Sequence, residues 1–295
     1  MTISGITGRR LPPWLKVRLT TGHRFITVRN RIGEHGLHTV CESAACPNRN
    51  ECWNAGTATF LILGDRCTRS CSFCNIAKGA PLTTDENEPQ RVADAVGALG
   101  LSYAVVTSVT RDDLPDGGAA LFAKTVRAIR QRTPECRVEV LVPDFRGDPA
   151  ALNTVLDAAP DILNHNIETV PSLYPRIRPA AEYERSLALL RRAQDRSATT
   201  KSGLMLGLGE RIDEVRGVFA DLRTAGCDIL TLGQYLRPSK DHVPVERYYS
   251  PQEFESLREE ALSLGFSRAV AGPLVRSSYR AASCAQPRGH AGSHP

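Results

Sequence analysis

The sequence predicts an α/β fold: a partial (β/α)6, TIM-like barrel with N- and C-terminal extensions. Three observations carry this. Strand-like and helix-like segments alternate about six times between residues 59 and 271. The strand segments are apolar runs rather than alternating ones, which marks strands buried on both faces, as in a parallel sheet flanked by helices. Proline and glycine punctuate the helices, and right-handed crossovers then wind the units into an open or closed barrel.

Taken in order, residues 1–57 show little periodicity and read as an irregular extension. TFLILG at 59–64 is the first buried strand. Residues 89–99 have helical spacing (Val92, Ala95, Val96, Leu99) and stop at Gly100. Strands follow at 102–109, 138–142, 162–167, 203–208, 228–232 and 266–271. Between them, helices are expected at 119–131, 149–158, 183–193, 212–225 and 251–264. The division is then an N-terminal extension (1–57), the barrel (58–272) and a C-terminal extension (273–295), whose last residues, 281–295, read as a disordered tail.

The 295 residues suffice for one large α/β domain. Hydrophobic content of 41% and charged content of 23% are ordinary for a globular chain. No apolar run approaches the roughly 20 residues of a membrane span, and no signal core is visible, so a cytoplasmic protein is expected. The net charge is +5, unevenly placed: Arg9, Arg10, Lys16, Arg18, Arg24, Arg29 and Arg31 all precede the first acidic residue, Glu34. This arm is either a solvated basic face or a docking surface for an acidic partner. Nucleic acid is not expected, because no basic helix or aromatic-studded basic sheet motif is visible.

Six of the nine cysteines lie between Cys41 and Cys74. In a chain without a signal peptide such clustering points to metal or redox chemistry rather than disulfides. Cys67, Cys71 and Cys74 form CTRSCSFC directly after the first strand, where barrel active sites collect. Three thiolates on one loop can hold three irons of a 4Fe–4S cube and leave the fourth open, as a catalytic site requires. A zinc knuckle is the competing reading, but no second CxxC and no close histidine complete it. With Phe73 before the last cysteine, this motif resembles the signature of the radical S-adenosylmethionine (SAM) family. That resemblance implies that the open iron binds SAM, whose one-electron cleavage releases a 5′-deoxyadenosyl radical.

The second triplet, Cys41, Cys46 and Cys52, stands in CESAACPNRNEC. By itself it admits a zinc site completed by His35 or His38. The whole stretch from LHTV at 37–40 to Cys74 is, however, similar to the lipoyl synthase family nearly position by position. So are WLKVR (14–18), DDLPDGGA (112–119), LNHNIETV (163–170), KSGLMLGLGE (201–210), CDILTLGQYL (227–236) and VRSSY (275–279). The likeness implies a second, auxiliary 4Fe–4S cluster on Cys41, Cys46 and Cys52. Its fourth ligand would be a serine of RSSY, Ser277 or Ser278, with the family pattern favouring Ser278. It implies further that this cluster is consumed as the sulfur source. On that likeness sulfur would enter C6 and C8 of an octanoyl group on a lysine of a lipoyl carrier domain, of a 2-oxoacid dehydrogenase E2 or a glycine cleavage H protein. A ferredoxin- or flavodoxin-type donor would supply electrons.

Other positions are weighed residue by residue. Gly117 and Gly118 either expose backbone groups to the amino group of SAM or simply form a loop. Asn166 and Glu168, at the end of the fourth strand, could bind the ribose hydroxyls. Arg178 could pair with a carboxylate of SAM or substrate; it and Lys201 are otherwise expected to be solvated charges. His35, His38 and His165 read as packing or hydrogen-bonding residues, and Cys136 and Cys227 as small hydrophobes.

Overall fold

The structure, a computed structural model, describes residues 11–16, 22–55 and 57–284. Its strands are β1 (His38–Thr39), β2 (Thr59–Ile62), β3 (Arg66–Cys67), β4 (Ala77–Lys78), β5 (Tyr103–Ser108), β6 (Arg137–Leu141), β7 (Ile162–Asn164), β8 (Thr200–Leu206), β9 (Ile229–Gln234) and β10 (Arg268–Gly272). One open sheet runs β1-β2-β5-β6-β7-β8-β9-β10. Every neighbouring pair is parallel except the antiparallel β1–β2 edge. This is the expected partial barrel: six strand–helix steps and a final strand, with β1 and β10 as edges.

The helices are α1 (His23–Glu34), α2 (Val40–Ser43), α3 (Arg49–Asn54), α4 (Glu88–Ala98), α5 (Ala119–Arg132), α6 (Pro149–Leu156), α7 (Tyr174–Ile177), α8 (Tyr183–Asp195), α9 (Ile212–Thr224), α10 (Pro251–Ser263) and α11 (Ala281–Cys284). Their starts follow local chemistry. Asp148 caps α6 by accepting from the Ala150 amide, with Pro149 at the first helical position. Ser250 and Glu253 close a capping box on α10. In α5, Leu121, Phe122, Val126 and Ile129 share one face and are buried against the sheet. Full burial of a side chain such as Phe122 stabilises the fold by about 1.5–3 kcal/mol.

Three expectations are corrected. The N-terminal extension is not irregular: α1 buries Phe25, Val28 and Ile32, spaced three and four apart, and Phe25 packs 5.0 Å from Trp53. The strand expected at 162–167 ends at Asn164; beyond it the chain keeps to β8 through the His165 N–H on Lys201 O, the Ile167 N–H on Ser202 Oγ and a bridge from Glu168 to Leu204. Within the supposed tail, residues 281–284 form α11, and Ala281 is buried against Tyr103 and Val105. Residues 285–295, and Arg9, Arg10 and Arg18 of the basic arm, lie outside the described residues.

Lys201 is a fourth correction. It is fully buried inside the sheet and bonds both oxygens of Glu139, at 2.9 and 3.2 Å. Tyr103 Oη and Asn164 Nδ2 donate to the same carboxylate at 2.7 and 2.9 Å. Alternation puts all four side chains on the inner face, and the carboxylate is saturated because an unpaired charge there is prohibitive. Among the described residues no helix is long and apolar enough to cross a membrane.

Candidate functional site

The first cysteine triplet sits where the chain leaves β2. Leu63 and Gly64 take left-handed conformations, at φ of 68° and 90°, and turn the chain across the end of the sheet. Thr68 fastens the loop, its N–H and hydroxyl both donating to Thr110 O at 3.0 Å. The amides of Arg69 and Thr110 point at Cys67 Sγ, at 3.4 and 3.3 Å. On the far side the Ser72 N–H donates to Ile177 O and the Val243 N–H to Ser72 O. His242 Nε2 lies 3.1 Å from Cys74 O. Phe73 packs with Ile177, Leu208 and Tyr235, so its ring anchors the loop.

Burial raises the Cys71 thiol and lifts that of Cys74 to about 12; Arg178 opposes the rise at Cys71, and neighbouring cysteines add to it at both. Such thiols stay protonated until a metal charge displaces the proton.

Asn166, Glu168 and Arg178 do meet beside this loop. Asn166 Nδ2 donates to Glu168 Oε1 at 3.0 Å and to Ser277 Oγ at 3.3 Å. Arg178 is not the solvated charge expected: it is 9% exposed. Its Nη1 donates to the carbonyls of Asn166 and Ile167 and to Tyr174 Oη, at 3.0–3.1 Å. That grip supports Glu168 in a left-handed conformation (φ 68°), costly for a residue with a Cβ. Burial raises the Glu168 carboxyl, and Arg178 and Asn166 counter it. Gly203 makes room: a Cβ there would stand 2.7 Å from Asn166 Oδ1 and 2.8 Å from Thr231 Oγ1.

Gly117 and Gly118 follow β5 at φ of 60° and 90°. Their amides are used within the turn, by Leu114 O and Asp116 Oδ1. A Cβ on Gly118 would strike Leu63 Cδ1 at 2.2 Å, so close packing by itself requires glycine. Gly117 lines an open pocket of about 510 Å³ with Asp112, Asp113, Phe145 and Arg146.

The second triplet is built from both extensions. Cys41 is in α2, which Thr39 caps; Cys46 follows Ala45 at φ 49°; Cys52 is in α3. Their pocket is closed by Arg276, Ser278 and Tyr279. The two serines left open by spacing are therefore separated: Ser278 lines this pocket, while Ser277 accepts from Asn166 on the other side. Asn48 Nδ2 donates to Leu274 O at 2.6 Å, and Glu51 accepts from Tyr279 Oη at 2.9 Å and Arg280 Nη2 at 2.8 Å. Burial raises the Cys46 thiol, against Arg276 and Arg49, and pushes Cys41 to about 11 and Cys52 to about 12.

These residues fit the groups the donor sets imply. All six cysteines are unpaired thiols. Among the described residues no three Cys, His, Asp or Glu side chains converge on a single ion position. A 4Fe–4S cube asks for no such convergence, because each thiolate binds its own iron. Trp53 Nε1 is buried beside Cys41, where it favours the thiolate. Donors to sulfur are the usual outer shell of such clusters. Asn166 Oδ1 is buried and unpartnered at the barrel mouth, an acceptor awaiting a donor such as the amino or hydroxyl groups of SAM.

Some participants escape sequence reading. Arg69, Asp144, Glu51 and Arg276 are charges whose roles depend on partners about 40 to 230 residues away. The only available signal for Arg69 was its place inside CTRSC. His165 Nδ1 bonds Val142 O at 2.8 Å, and Cys136 and Cys227 are buried, as expected of packing residues.

Comparisons with known proteins bear on the family and the fold. A Radical SAM superfamily model matches residues 61–222, and a model of the N-terminal domain of lipoyl synthase matches residues 4–46. A lipoyl synthase of Rubrobacter xylanophilus is 56% identical over 92% of this chain and 85% of its own. That of Mycobacterium tuberculosis is 56% identical (92% and 88%), and that of Symbiobacterium thermophilum 57% (92% and 86%). In fold the chain resembles a methylornithine synthase, with TM-score 0.54 and 15% identity over 86% of this chain and 75% of that one. It also resembles Streptococcus suis SuiB bound to its precursor peptide, with TM-score 0.58 and 8% identity over 84% and 52%. The chain belongs to the lipoyl synthase family of radical SAM enzymes.

Proposed function

We propose that this chain inserts two sulfur atoms, at C6 and C8, into an octanoyl group carried on a lysine of a lipoyl carrier domain. The observation that carries the reading is the segment 276–278. Ser278 lines the thiol pocket of Cys41, Cys46 and Cys52, while the adjacent Ser277 accepts a hydrogen bond from Asn166 beside the 67–74 loop. A sulfur source and a radical site thus share one wall.

Cys67, Cys71 and Cys74 hold the radical-site cluster, and Cys41, Cys46, Cys52 and Ser278 hold the auxiliary cluster, which is a substrate because its sulfide is consumed. With SAM, the radical-site cluster supplies a 5′-deoxyadenosyl radical able to take hydrogen from unactivated carbon. The chain binds, orients and excludes water. Asn166 Oδ1 and the Glu168 carboxylate offer acceptors to SAM, and Arg178 keeps them in place by holding the backbone beneath. Phe73, Ile177, Leu208 and Tyr235 seal the mouth with apolar surface. The serine oxygen is a hard ligand among soft thiolates, which suits an iron that must leave. The carrier is a 2-oxoacid dehydrogenase E2 domain or a glycine cleavage H protein, met by the basic N-terminal arm, and the reductant is a ferredoxin or flavodoxin.

The test is anaerobic reconstitution with iron and sulfide, then SAM, dithionite and an octanoyl-lysyl peptide. Mass spectrometry should show gain of two sulfurs with loss of two hydrogens in the disulfide product, alongside 5′-deoxyadenosine. SAM cleavage with an unchanged peptide would overturn the substrate assignment.

A further inference from the structure

We propose that Arg69, in the middle of CTRSC, is the positioning residue that shapes the 67–74 loop for its cluster before the cluster arrives. The proposal rests on the reading that this loop is a cluster site. The Arg69 side chain is 5% exposed. Its Nε and Nη2 grip both oxygens of Asp112, at 2.6 and 2.9 Å, and Nη2 also reaches Asp144 Oδ1 at 2.6 Å. Asp112 belongs to the loop leaving β5 and Asp144 to the loop leaving β6. One guanidinium therefore ties three strand-exit loops together.

The tie acts on the cluster loop through its backbone. Asp112 returns its own N–H to Thr68 Oγ1 at 3.1 Å, and the Arg69 amide approaches Cys67 Sγ. Asp144 is fully buried and is held on its other oxygen by Arg185 at 3.4 Å. Burial raises its carboxyl, but Arg69 more than reverses this and holds it at about 2. Only a planar fork meets this geometry: a lysine ammonium can satisfy one carboxylate well but not a bidentate pair and a third oxygen.

A surface ion pair of little consequence, or a pair that merely stabilises the barrel, is distinguished by letting each cluster site control for the other. Full-length chains lacking Cys41, Cys46 and Cys52, or lacking Cys67, Cys71 and Cys74, each retain one site. In both, Arg69→Gln/Asp144→Asn removes the two charges together, which avoids stranding a buried carboxylate; Arg69→Lys is the conservative companion. Iron and sulfide content, release of iron to a chelator, and the EPR signal of the reduced cluster before and after SAM are read. The double variant should lose iron from the radical site ~10–100-fold faster, the usual cost of removing a partner behind a ligand. Its auxiliary site should stay within about two-fold, far below that same effect. Arg69→Lys should fall between and restore the SAM-dependent change in the EPR signal. Equal acceleration at both sites, or none at either, overturns the proposal. Failure of the underlying reading looks different: the parent with only Cys67, Cys71 and Cys74 would take up no iron at all.

Discussion

The two cysteine triplets are held by opposite means. Cys67, at the end of β3, and Cys71 and Cys74, in the turn from β3 to β4, are tied to neighbouring strand exits by the buried charges of Arg69 and Asp144. Cys41, Cys46 and Cys52 share a pocket with residues 276–279, more than 200 positions away. The wall of that pocket is fastened partly by an exposed pair, Glu51 and Arg280, which keep 48% and 67% of their side chains exposed, beside the bond of the buried Asn48 to Leu274 O. Charges buried in one network resist opening, whereas exposed pairs contribute little. The exposed pair is therefore the part of either site most easily opened locally. On the proposed assignment, that difference suits a permanent cluster beside one that is consumed and must be rebuilt.

The comparison breaks first at the cysteines. Cys67→Ala should abolish both 5′-deoxyadenosine and sulfur insertion. Cys46→Ala should abolish insertion yet leave SAM cleavage, with both products quantified by mass spectrometry. Loss of SAM cleavage in the second variant would mean that the sites are not separable.

Next comes the barrel itself. Lys201→Met leaves Glu139 buried without its cation and should cost about 3–5 kcal/mol in urea unfolding. Adding Glu139→Leu should recover much of this. An unchanged midpoint in the single variant would show that this pair does not support the barrel.

Acid should act on the radical-site half through His165. Burial and Arg178 depress its pKa to about 4 from 6.5. The unfolded chain then binds a proton that the folded chain refuses, so stability present above pH 6.5 is lost as pH falls toward 4, by up to ~3 kcal/mol. His165→Gln should flatten that slope; an identical slope would assign it to other groups.

The smallest effect is expected at the latch. Glu51→Gln should change global stability by less than ~1 kcal/mol, because the pair is exposed. It should nonetheless speed amide exchange across 275–281. Exchange confined to its parental rate would show that the wall is held elsewhere, as by Asn48 on Leu274 O.

Much of the fold was legible because local pattern and tertiary demand coincide. The mainly apolar runs of β2, β5 and β9 are buried on both faces, which is why they read as strands without alternation. In α1 the legible pattern was diluted by three arginines, Arg24, Arg29 and Arg31, among Phe25, Val28 and Ile32, and it passed for irregular chain. The end of β7 was misread because Ile167 is apolar for packing, while the strained Glu168 re-aims the chain toward the mouth.

By itself, the sequence determined the chemistry: six thiols in two spacings, a serine motif near the end, and an alternation of elements that places the first triplet at a strand exit. Tertiary structure decided what those groups do to one another. It separated Ser277 from Ser278 by turning them to opposite sides of one wall. It made Arg178, Lys201 and Arg69 buried anchors rather than solvated charges. Spacing encodes which residues can share a loop, but burial and charge pairing depend on what the fold brings from elsewhere, and that is set only when the barrel and both extensions meet.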